Sequence, residues 1–185
     1  KVDVVAITDH NTISGYEKCE QILKNSNFPI EVIYGVEITT YYGHILCLNL
    51  KEYVNWEDIN YHKPEIFFER IRNHGGLVGI AHPFSKGAPF AKGCKWEMDI
   101  SDYLVDFIEI FNNSESILVN EKALNLWEEL VIGGEKLAMT TGMDLHGKGN
   151  LNEGFYTYIK VYENEGVDKA LEKAIKNCKT FVSKI

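Results

Sequence analysis

The stretch Val2-Asp3-Val4-Val5-Ala6-Ile7-Thr8-Asp9-His10 joins an apolar run to a polar tip that ends in histidine. Residues 2–7 read as a strand. From residue 13 to 24, Ile13, Tyr16, Cys19 or Glu20, and Leu23 fall near one face of a helix, which Asn27 and Pro29 end. The arrangement returns twice further on: the apolar run 77–81 leads into His82, and the run 137–141 leads into Asp144 and His146. Near-continuous apolar runs separated by helical spacing are how strands of a parallel sheet covered on both faces read. The pattern predicts an α/β fold built by βαβ repetition, with its reactive side chains where the loops converge at the carboxyl ends of the strands.

Between these segments, residues 31–39 and 44–50 read as two strands joined by Tyr41-Tyr42-Gly43, a plausible hairpin. Pro64 opens a helix through Ile66, Phe67, Arg70 and Ile71 that stops at Gly75-Gly76. Residues 107–111 form a strand and 115–131 a helix, with Ile117 or Leu118, Leu124, Trp127 and Val131 facing inward. The tail offers a strand at 155–161, a helix at 167–177 and a short strand at 180–182. The loops 83–93 and 142–154 are long for a compact domain, and long loops often carry sites.

A chain of 185 residues, 45% hydrophobic and 25% charged, has globular composition and room for one domain, taken as residues 1–185. Disorder and fibrous repeats are excluded. The net charge of −8 repels a phosphate backbone unless basic residues or bound cations gather locally, so nucleic acid is a possible partner but not one the composition indicates. No apolar run approaches the roughly 18 residues that span a bilayer, so no membrane partner is expected. The reading is a soluble, cytoplasmic protein. Cys19, Cys47, Cys94 and Cys178 are scattered with no CxxC pair, so reduced thiols are expected, with Cys19 and Cys47 explained by packing.

Histidine marks three strand exits, at His10, His82 and His146. Glu37 stands near the end of its own strand, and His44 returns seven residues later across the turn. Imidazole nitrogens with carboxylate oxygens suit Zn, Mn and Fe. Ligands drawn from different strands fit ions about 3.5–4 Å apart on a phosphoryl group. Taken singly, a histidine beside a strand is more often a hydrogen-bonded group than a ligand; the ensemble reverses that. His62 and His74 fall away from strand exits and are set aside. Glu109, flanked by Ile108 and Ile110, would be costly to bury unpaired, and faces either the site or solvent. Asp99, Asp102 and Asp106 read as solvated loop charges.

Ala6-Ile7-Thr8-Asp9-His10-Asn11-Thr12 with Gly15, Gly35-Val36-Glu37-Ile38, His44-Ile45-Leu46, Ile80-Ala81-His82-Pro83, Ile108-Glu109-Ile110-Phe111-Asn112 and Gly142-Met143-Asp144-Leu145-His146 form an ordered set. Over roughly residues 2–146 it resembles the PHP (polymerase and histidinol phosphatase) family, and the short connections resemble its compact members. The resemblance implies a distorted (β/α)7 TIM-like barrel with two or three divalent ions (Zn, Mn or Fe). By position, His10 looks like a ligand, Glu37 like a bridging carboxylate, His44 and His82 like partners of Glu37 on one ion, and Asp144 and His146 like the residues that close the ring. Asp9 looks like a residue that orients a neighbour, and Asp9, His10, Glu37 and Asp144 are the expected catalytic set.

The family opens with an HxH motif on its first strand and an Asp soon after. The expectation is that an upstream segment supplies them, the barrel's first strand being absent from this chain. Without it, only the ion held by Glu37, His44 and His82 keeps its full set of side chains. Met143 stands where the family usually has Ser. The implied activity is a metal-dependent phosphoesterase that hydrolyses a small phosphomonoester or nucleotide through a metal-activated hydroxide, with Lys86 and Lys148 as substrate-binding candidates or ordinary solvated charges. The alternatives are a non-catalytic PHP module that binds metal or a partner, and a histidinol phosphatase.

Overall fold

In the computed structural model, β1 (Val4–Ile7) feeds α1 (Ser14–Lys24), which returns the chain to β2 (Glu31–Thr40), paired parallel to β1. This is a βαβ unit, since parallel neighbours need a crossover. The structure describes residues 2–60, 62–87, 94–98, 105–147 and 153–184. β2 turns directly into β3 (Gly43–Leu48) as an antiparallel hairpin. Gly43 takes φ 137°, a conformation open to glycine, and the Thr40 hydroxyl donates to its carbonyl at 2.6 Å. α2 (Pro64–Asn73) leads to β4 (Leu77–Ile80), antiparallel to β3. β5 (Phe107–Asn112) and β6 (Ala138–Gly142) then add in parallel, joined by α3 (Ile117–Ile132).

The result is a mixed α/β sheet in the order β1-β2-β3-β4-β5-β6, curled into a half-barrel, in which β3 runs against the other five strands. β7 (Phe155–Tyr158) and β8 (Phe181–Lys184), with α4 (Val167–Lys176) between them, form a separate two-stranded sheet. It adjoins β6 through side chains: the Thr141 N–H donates to Thr157 Oγ1 at 2.8 Å. With these the described residues hold four helices, none long and apolar enough to cross a membrane.

Strand alternation divides the core in two. Val36, Ile38, Ile45, Cys47, Val78, Ile80, Ile108 and Ile110 form one cluster with Phe67, Phe68 and Ile71 of α2, and Leu124 and Trp127 of α3 pack against it. Ile33, Leu46, Leu48, Leu77, Phe107 and Ala138 form the other, covered by Val167, Leu171 and Ile175 of α4. The contacting row of α3 is Asn120, Ala123, Leu124 and Trp127, while Ile117, Leu118 and Val131 are exposed, contrary to the sequence expectation. Its first turn lies past the end of β5, where the sheet no longer offers a surface to cover. α4 touches both β2 and β6, which a curled sheet brings within reach of one helix. Along this second face the side chains change from apolar to polar toward the strand exits: Ile33 gives way to Glu37, Leu46 to His44, and Phe107 to Glu109.

Candidate metal centre

The exit of β1 is stapled to β2. Asn11 N donates to Glu37 O at 3.0 Å, Glu37 N donates to Asp9 O at 3.2 Å, and Thr39 N donates to Asn11 Oδ1 at 3.0 Å. These bonds hold Asn11 at φ 56° and set His10 beside Glu37, its Nδ1 2.8 Å from the Thr39 hydroxyl. His44 lies across the hairpin from Thr39, so alternation puts its ring on the same face as Glu37. His82 follows β4 with φ 25°. Asp144 and His146 follow β6, Asp144 with φ 49°. Left-handed backbone in non-glycine residues at three strand exits is conformational cost concentrated where side chains must be aimed.

The side chains converge on Glu37. His44 Nδ1 lies 2.7 Å and His82 Nε2 3.1 Å from the same oxygen, Oε1. One ligand atom each from His10, Glu37 and His44 fall within 4.8 Å of one another. Ring centroids run in a chain: His146 to His10 at 5.7 Å, His10 to His44 at 5.3 Å, His44 to His82 at 5.0 Å. Burial by itself would raise the Glu37 carboxyl, but hydrogen bonds from His44 and His82 hold it below the usual carboxylate range. Burial likewise works against the charged form of His82, and the contact with Glu37 outweighs it, raising the ring.

These residues fit a divalent ion. His44 Nε2 and His82 Nδ1 are buried and have no hydrogen-bond partner among the described residues. An orphaned buried ring nitrogen is costly, about 1–3 kcal/mol each, and the ring nitrogens on the other edge already meet one carboxylate oxygen, an arrangement suited to an ion that takes nitrogen and oxygen donors together. Neutral imidazoles and a carboxylate are such a donor set for Zn, Mn or Fe.

Asp144 is half-buried; its Oδ2 accepts from Asn112 Nδ2 at 3.3 Å and from the Ser114 hydroxyl at 3.1 Å, while Oδ1 lies 3.3 Å from His146 Nδ1. Asp9 and His146 are exposed, and among the described residues no hydrogen bond joins the Asp9 carboxylate to a histidine. Asp9 does approach α1, where a Cβ on Gly15 would stand 1.9 Å from its Oδ2. Lys86 is exposed in the loop after His82, and Lys148, Asp99 and Asp102 lie outside the described residues. A cleft of about 620 Å³ opens beside Asp144 and His146, bordered by Asn113, Ile117, Leu145, Phe155 and Lys184.

Sequence reasoning left Glu109 facing either the site or solvent, and gave no role to Asn112 and Ser114. Glu109 is 4% exposed and turns to the site, and burial raises its carboxyl to about 7. The signal was present in the strand itself: a charged residue two places after Phe107 shares its face.

A two-domain protein of Bacteroides vulgatus containing a predicted PHP-like metal-dependent phosphoesterase superposes with a TM-score of 0.67 at 17% identity, over 98% of this chain and 55% of that one. An inferred metal-dependent phosphoesterase of Bifidobacterium adolescentis superposes with a TM-score of 0.55 at 15% identity, over 80% of this chain and 79% of its own. The chain spans about half the length of the first. At these identities the likeness shows the fold, which is PHP-like. No family model matches the chain. An uncharacterized protein of Methanocaldococcus jannaschii is 38% identical over 125 residues, 67% of either chain, and this chain belongs to that protein's family.

Proposed function

We propose that the chain is a metal-dependent phosphoesterase acting on a small phosphomonoester or nucleotide, its curled sheet forming the main part of a distorted (β/α)7 barrel. The observation that carries this reading is the convergence of His44 and His82 on one oxygen of Glu37, with the other nitrogen of each ring buried and unpaired. In this reading His10, Glu37, His44, His82, Asp144 and His146 hold two or three divalent ions. Such ions, when bound, supply the Lewis acidity that activates water for attack on phosphorus and neutralises phosphate oxygens.

The chain's own residues do the rest. Glu37 carries the negative charge that binds cations in a protein of net charge −8, so an anionic substrate meets a locally positive centre. Thr39 orients His10 through Nδ1. Asp9 stands at the rim beside His10, and Lys86 sits on the loop after His82, where a cationic group would meet phosphate oxygens; Lys148, four residues after Asp144 in sequence, is the second candidate. The cleft beside Asp144 gives room for the organic part of the ester.

The test is phosphate release from p-nitrophenyl phosphate and from nucleoside monophosphates with Mn or Zn present. Turnover that His82→Ala abolishes is expected. Equal turnover by that variant would overturn the assignment, and stoichiometric metal without turnover on any ester would leave a metal-binding module instead.

A further inference from the structure

Glu109 is a charged side chain inside an apolar strand, and its surroundings account for its presence there. Its Oε2 accepts from the backbone N–H of His82 at 2.8 Å and from Asn112 Nδ2 at 3.2 Å. Its Oε1 occupies the space over Gly142, where an added Cβ would stand 1.7 Å away. Oε2 is engaged by the His82 backbone and the Asn112 amide, and through it Glu109 acts on its neighbours at the site. Asn112 continues the path: the same Nδ2 donates to Asp144 Oδ2 at 3.3 Å, so one amide stands between two carboxylates. The amide cannot be turned over, because its Oδ1 accepts from Ser114 N at 2.9 Å, and the turned amide would set its NH2 against that N–H.

We propose that Glu109 and Asn112 are positioning residues of the metal centre, tying the backbone of His82 at the end of β4 to the carboxylate of Asp144 at the end of β6. The inference rests on the proposed metal-binding function. His82 and Asp144 each sit in left-handed backbone, at φ 25° and 49°, which persists only where surrounding bonds over-determine it. Glu109 fixes the N–H of the first, and Asn112 fixes the side chain of the second. An aspartate at 112 would keep the shape and replace the donor with a third carboxylate facing the other two.

The experiment measures Mn and Zn affinity by titration calorimetry beside thermal melts of the metal-free protein. Asn112→Ser, which removes the amide without that added charge, is expected to lose metal affinity about 10- to 100-fold, the cost usual for a lost partner of a ligand, while the metal-free protein still melts cooperatively. Glu109→Gln, which retains an acceptor for the His82 N–H, is expected to hold affinity within a few fold, and Glu109→Ala to lose it. If Asn112→Ser does not fold, Asn112→Ala removes the same amide and is read in the same way. Unchanged affinity in the position 112 variant, or equal losses in the two Glu109 variants, would overturn the positioning role while leaving the metal site standing. A wild-type chain that binds neither metal would overturn the proposed function, and this inference with it.

Discussion

Asn120 of α3 closes both backbone groups of Asn112 with one carboxamide: its Oδ1 accepts from Asn112 N at 2.9 Å and its Nδ2 donates to Asn112 O at 3.0 Å. Asn112 is the last residue of β5, where no further strand partner follows, and both residues are buried. A helix side chain thereby replaces the missing ladder and anchors the strand end beside the site.

Asn120→Ala leaves the buried N–H of Asn112 unpaired, while its C=O keeps the bond from Glu115 N at 3.1 Å. A loss of about 1–3 kcal/mol in unfolding free energy is expected, read by urea denaturation. A loss below about 0.5 kcal/mol would mean that another group takes over the N–H.

Gly79 and Gly15 both face close contacts, with opposite consequences. A Cβ on Gly79 would lie 2.1 Å from the ring of Phe107, which is fully buried and held between β4 and α4. Gly79→Ala is expected to cost about 1–3 kcal/mol. At Gly15 the obstacle is the exposed end of Asp9, which can swing away, so Gly15→Ala is expected to change stability by less than about 0.5 kcal/mol. Equal melting shifts in the two variants would contradict this.

The cysteines differ in reach. Cys47 is fully buried and burial pushes its thiol far up, while Cys178 is exposed. Ellman's reagent is expected to modify Cys178 in the native protein and Cys47 only after denaturation. Cys178→Ser would then remove the fast phase, and a fast phase carried by Cys47 would count against the burial described.

Metal binding should register as stability. Free Mn or Zn at 100 times its dissociation constant would raise the unfolding free energy by about 2.7 kcal/mol. Chelation should reverse the rise. Glu37→Gln, which keeps the shape but not the charge of the oxygen shared by His44 and His82, is expected to abolish the response. A melting temperature indifferent to metal in the wild type would refute it.

Much of the fold was legible because local chemistry writes it. Proline at the first turn and paired glycines past the end placed α2, whose bounds Pro64–Asn73 match that reading. The two-residue turn at Tyr41-Tyr42 announced the hairpin, and so the one strand that opposes its neighbours. The strand 155–161 was read too long, since its β-branched tail continues past the partner β8, which ends the ladder at Tyr158. The inward reading of Ile117 and Val131 failed because helix periodicity names a face and not how far along the helix a surface extends to receive it.

The amino-acid order alone determined that His10, His82 and the pair Asp144 and His146 stand at strand exits, because apolar runs end where the chain turns polar. Distances between residues far apart in the chain belong to the tertiary structure. The curl of the sheet and the register Thr39↔His44 bring His44 and His82 onto one oxygen of Glu37 and turn Glu109 inward to the His82 backbone. The physical reason is that a strand pattern specifies which face a side chain takes, whereas its partner across the sheet is selected only when the strands pair and close.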